Sequence, residues 1–280
     1  MLAIATLVPD TALLVPGAAG TADVLPDVRS AALDAARALV AAAPARVVVV
    51  APGDADRMVP GPLTPSLAAA GIDDAGLGWG APGTRPGTAA TAGTTPGSND
   101  RPADRPTDRP TDRSTVVPTV VHGVPASVAL LLLDQVGWAG PVTLVEVAPP
   151  GHDAVTRAPG RAAELAALGY GVTGGPERVG VLVAGSLSAR RGPDAALAED
   201  PRAVAVDGGM LADLADAGPD ARRRLAVMAP DLAAELAVTA WAPWQVAMGG
   251  IGRGTEVAGE VHHVAAPHGV TLAVVTWSPR

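Results

Sequence analysis

The chain has 280 residues, a formal net charge of −8 and no cysteine. That length is ample for a sizeable core, the acidity disfavours nucleic acid as a partner, and the missing thiols exclude disulfides, cysteine nucleophiles and Cys-ligated metal centres. Phe and Lys are absent too, so Ala, Val and Leu must carry the packing, and the all-Arg basic set reads as genomic composition bias.

In chain order, Leu2–Val8 is predicted as a first β-strand. It is apolar but has no basic residue before Arg29, and Asp10 interrupts it, so it is not read as a signal peptide. Cytoplasmic location is the resulting expectation. Asp23–Ala43 reads as a helix, with Pro26 near its start and Pro44 past its end. The four-Val run within Arg46–Ala51 reads as a buried strand.

Residues Ala81–Thr115 change character. They are rich in Gly, Pro, Thr, Asp and Arg, and Ala103–Arg113 repeats Asp-Arg-Pro-Thr. Pro at every fourth position prevents a helix, and no apolar period offsets the entropy of ordering. This segment is predicted to be a disordered insert in a single domain spanning 1–280.

Beyond it, Pro125–Val136, Arg161–Leu168, Val206–Ala217, Ala221–Met228, Asp231–Thr239 and Pro243–Met248 read as helices, with Gly169 closing the second. Val142–Val147 and Val179–Ala184 read as short buried strands, and Glu256–Ala265 and Val270–Thr276 as a terminal hairpin turning at Pro267-His268-Gly269. Short apolar strands alternating with helices predict an α/β fold: a mostly parallel sheet covered by helices on both faces. The longest apolar run, Val128–Leu133, falls far short of the ~20 residues that span a bilayer. No membrane partner is expected.

Gly169–Gly174 matches G-x-G-x-x-G, but it follows a helix where a dinucleotide site needs it to follow a strand and open a helix. It is read as a helix C-cap and turn. The five His are 122, 152, 262, 263 and 268. None shows the i, i+4 spacing of a zinc helix, and the adjacent His262 and His263 should face opposite sides of a strand.

Ligands of open parallel sheets sit beyond the carboxyl ends of the strands. Those ends present Asp10, then Asp54 and Asp56, then His152, then Ser186, Ser188 and Arg190. With Trp244, these are the candidate pocket residues. Solvated turns are the plain alternative for each rim residue. Core anchoring is the plain alternative for Trp244, which sits beside Pro243 at a helix start. Asp10 and Asp54 are the weak metal candidates. Such an oxygen-only set suits Mg²⁺, Mn²⁺ or Ca²⁺.

Taken together, Ala5–Pro16, Arg46–Gly53, Val124–Trp138, Val181–Arg191, Ala242–Gly249 and Ala266–Trp277 resemble the class III extradiol ring-cleavage dioxygenases. The resemblance is to their catalytic-subunit family, of the protocatechuate 4,5-dioxygenase β-subunit type, and is greatest to a short actinobacterial branch. It implies a non-haem Fe(II) site of two His and one Glu with open positions for substrate and O₂, and a further His as acid/base. It also implies pairing with a small partner chain.

The chain departs from that pattern at each alignable place. Asp10 stands where the first His is implied, and Asp54, Asp56 and Arg57 where the second is. Ala189 follows Ser188 where the acid/base His is implied, and no Glu falls within Trp241–Gln245, Glu235 being nearest. The expected function is therefore a non-catalytic small-molecule-binding or interaction module, with no cofactor. The alternative is a metal-dependent extradiol-type dioxygenase with unorthodox ligands, which alone would require Fe(II). A small-molecule ligand, a partner chain and a homo-oligomer are all compatible with this reading. A serine hydrolase is not expected, because neither Ser186 nor Ser188 lies in a G-x-S-x-G elbow.

Overall fold

The computed structural model describes residues 1–74, 117–153, 155–158, 160–252 and 255–280. The predicted insert at 81–115 lies outside them. The strands are β1 (Leu2–Val8), β2 (Arg46–Pro52), β3 (Arg57–Pro60), β4 (Leu63–Pro65), β5 (Thr119–Val121), β6 (Val142–Val147), β7 (Val179–Ala184), β8 (Val257–Ala265) and β9 (Leu272–Pro279). The helices are α1 (Pro26–Ala41), α2 (Val124–Gln135), α3 (Arg161–Thr173), α4 (Ala203–Asp216), α5 (Pro219–Ala226), α6 (Pro230–Glu235) and α7 (Trp241–Gly250).

A seven-stranded sheet runs in the order β3-β6-β2-β7-β1-β9-β8. Its centre, β6-β2-β7-β1, is parallel. β3 closes one side antiparallel to β6, and the β8–β9 hairpin closes the other, with β9 antiparallel to β1. β4 and β5 form a small parallel pair of their own. The Val- and Leu-rich central strands are buried on both faces, as all seven residues of β1 illustrate. One face, carrying Ile4, Val49, Leu182 and Val274, packs against α1 and α2. The other, carrying Leu7, Val50, Val183 and Val275, packs against residues of α3 through α7. α2 is apolar all round because Ala126–Leu133 is buried throughout.

Three local expectations are corrected. First, Gly169 does not end its helix; α3 continues to Thr173 and stops at Gly174. A Cβ on Gly169 would lie 1.8 Å from the Val246 carbonyl oxygen, and one on Gly249 1.9 Å from that of Ala166. These glycines let α3 and α7 touch backbone to backbone, which is why Gly169 sits inside a helix. Second, the helix beginning near Asp231 ends at Glu235 and not at Thr239, broken by Ala237 in the left-handed region (φ 54°). Third, β3, β4 and β5 are additions to the expected strands, since their short runs lack a buried apolar face. Among the described residues, no helix is long and apolar enough to cross a membrane.

Candidate functional site

The four parallel strands end on one rim. Chain leaving β1 goes to α1 on one layer, whereas chain leaving its neighbour β7 goes to α4 on the other. Adjacent strands whose exits diverge open a crevice between their carboxyl ends, the position ligands occupy in sheets of this kind. Asp10 follows β1 and Ser186 follows β7, and the structure brings them together: Ser186 Oγ donates to Asp10 Oδ1 at 2.5 Å. Ser186 is buried and Asp10 half-buried. The Ser186 backbone N–H donates to Thr239 Oγ1 at 2.8 Å, and its carbonyl accepts from the Ala240 N–H at 3.0 Å. The loop after β7 is thus fastened to the start of α7, and the Ser186 proton is aimed at Asp10.

The other candidates disperse. Asp56 is taken up by Arg161, whose Nη1 and Nη2 donate to Oδ2 and Oδ1 at 2.7 and 2.6 Å, while the Ala148 N–H donates to Oδ1 at 2.9 Å. The Arg161 guanidinium holds the Asp56 carboxyl below the usual carboxylate range, and Asp56 in turn raises Arg161. Asp54 is exposed. Its charge contributes to raising the pKa of Arg57, but the larger cause is the Arg57 Nε hydrogen bond to the buried Glu146 carboxylate. His152 is exposed on a turn.

Ser188 lies in the interior and not on the rim. Its Oγ and N–H donate to Asp207 Oδ2 and Oδ1 at 2.6 and 3.0 Å, and Thr271 Oγ1 donates to the same carboxylate at 2.6 Å. Sequence reasoning misses Asp207, which is only 1% exposed. Its one sequence signal is a carboxylate inside the apolar stretch Ala203–Met210. Arg190 braces its own loop, donating from Nη1 to the Ala198 carbonyl at 2.9 Å. Trp244 is a core residue, 4.8 Å edge-on from Trp277.

The residues do not fit the iron site that the resemblance implies. Among the described residues, no three His, Cys, Asp or Glu side chains are gathered as a metal would need. Of the carboxylates at the rim, Asp10 is engaged by Ser186 and Asp56 by Arg161. His262 and His263 straddle a β-bulge, where His262 Nε2 lies 2.8 Å from Thr276 Oγ1.

The largest cavity is elsewhere. It is an apolar groove of about 1600 Å³ on the outer side of α3 and α7, walled by the α5–α6 segment. A second, of about 690 Å³, lies beside Trp138 and Pro60–Pro65. None of the eight candidate residues lines either one.

No family model matches the chain, and no curated protein does. Among solved structures, one that matches is an uncharacterised protein of Escherichia coli K12. It is 11% identical, over 98% of each chain, with a TM-score of 0.45.

Proposed function

We propose that this chain is a binding module whose small-molecule site is the crevice between the carboxyl ends of β1 and β7. The observation that carries the reading is the Asp10–Ser186 hydrogen bond at the point where the strand exits diverge. Ser186 spends its proton on Asp10, and it is the only hydrogen-bond partner of that carboxylate among the described residues. The carboxylate is left as an acceptor, which favours ligands offering hydroxyl or amine donors. Binding without ring cleavage follows from the donor set, since the rim supplies neither the two His nor the Glu of a facial triad.

The test begins with protein purified without a metal-binding tag and loaded anaerobically with Fe(II). After removal of excess metal, bound iron is quantified. Catechols, polyols and amines are then screened by thermal shift against the wild type, Asp10→Ala and Ser186→Ala. The expected result is no retained iron, together with a ligand-induced rise in Tm that both variants lose. Near-stoichiometric iron accompanied by catechol turnover would overturn the reading, as would a panel that shifts all three proteins equally or none.

A further inference from the structure

We propose that the groove between α3 and the α5–α6 segment is the face through which two copies of this chain associate, each filling the other's groove. At about 1600 Å³ the groove exceeds the roughly 300–1,000 Å³ typical of small-molecule pockets. Its α3 wall is the stripe Ala163, Ala167 and Tyr170, and the facing wall carries Ala226, Val227 and Ala229; all six are exposed. Both walls are fixed before any partner arrives. Trp241 Nε1 donates to the Met228 carbonyl at 3.1 Å and Gln245 Nε2 to the Leu225 carbonyl at 3.0 Å, which ties the α5–α6 segment to α7. Backbone contact at Gly169 and Gly249 holds α3 to the same helix.

The occupant is argued from self-complementarity. A two-fold interface uses one patch twice, so that patch must carry both projection and recess, and both signs of charge. Tyr170 is 72% exposed and Val227 73% exposed, so the recess has large apolar projections on its own lips. Small Ala side chains beside them leave room for such a projection from another copy. The rim carries Arg157 opposite Asp231 at 4.0 Å and Arg223 opposite Asp220 at 2.6 Å. Each of these four side chains is more than half exposed, so the pairs are weak within one chain and free to exchange partners across a two-fold axis. A rim of a single sign would point instead to an oppositely charged foreign partner.

The proposal is independent of the rim site, and its readout is mass, not ligand binding. Light scattering after gel filtration, with sedimentation equilibrium up to about 100 µM, gives the association constant. The probes are the wild type, Ala167→Arg and Tyr170→Asp. Both positions are exposed, and circular dichroism confirms that each variant is folded. The expected result is a wild-type dimer that both variants weaken at least tenfold. A wild type that stays monomeric across the range overturns the proposal, and so does either variant that dimerises with wild-type affinity.

Discussion

Asp56, on the turn between β2 and β3, holds the buried guanidinium of Arg161 at the start of α3 through two parallel hydrogen bonds. The Arg161 side chain is 5% exposed and that of Asp56 43%, so removing the carboxylate strands a buried cation. Because solvent reaches Asp56, the cost of Asp56→Ala is set at about 2 kcal/mol, below that of a fully buried pair. The pH dependence has a definite sign. The folded-state pKa of Asp56 is depressed, so the pair's contribution is complete above the unfolded Asp value of about 3.9 and is lost as pH falls through the lower folded value. Urea titrations at neutral pH and below pH 4 should show the wild-type advantage over Asp56→Ala shrinking in acid.

Asp207 accepts three hydrogen bonds in the interior, from the Ser188 N–H, Ser188 Oγ and Thr271 Oγ1. Asp207→Ala leaves all three donors without that acceptor, at a cost of about 3 kcal/mol or more. Asp207→Asn retains one acceptor oxygen and should lose about half as much. Chemical denaturation checks the order; equal losses in the two variants would mean that packing, and not hydrogen bonding, is what Asp207 supplies.

Two glycines of α3 should respond to alanine with opposite signs. A Cβ at Gly171 meets nothing within 4 Å, so Gly171→Ala should stabilise by up to about 1 kcal/mol through helix propensity. At Gly169 the added carbon would overlap the Val246 carbonyl, and separating α3 from α7 should cost about 2 kcal/mol despite the same propensity gain. Thermal melts of the two variants, read against the wild type, decide the matter.

Trp277 donates its indole N–H to the Leu214 carbonyl at 2.6 Å, whereas the Trp244 indole N–H has no partner among the described residues. Each ring meets the other edge-on. Trp277→Phe should therefore cost about 1 kcal/mol more than Trp244→Phe, the difference being one buried hydrogen bond. Denaturation followed by circular dichroism gives both values, and a larger loss at Trp244 would place it in a role beyond core packing.

The strands of the central sheet are legible as sequence because burial on both faces demands near-continuous apolar runs, as in Arg46–Pro52 and Val179–Ala184. β3 is not, since Arg57–Pro60 is largely exposed and owes its conformation to pairing with β6, which composition does not record. Gly169 misleads because a glycine near a helix end looks the same whether it caps the helix or admits a neighbouring backbone; only α7 distinguishes them. At the rim, the topology correctly puts Asp10 and Ser186 side by side. It cannot foresee that Asp56 is claimed by a residue 105 positions away, or that Ser188 turns inward to a carboxylate on α4.

β1 is flanked by β7 on one side and β9 on the other. Both neighbours are encoded far downstream, at Val179–Ala184 and Leu272–Pro279. A ribosome therefore releases the earliest strand long before anything exists to pair with it, and seven apolar residues with open backbone groups must wait through most of translation. Contacts of such long sequence separation close slowly and leave strand edges exposed meanwhile. Recombinant yield should thus depend on how well the nascent chain is shielded, through lower temperature or holding chaperones, more than on the stability of the finished fold.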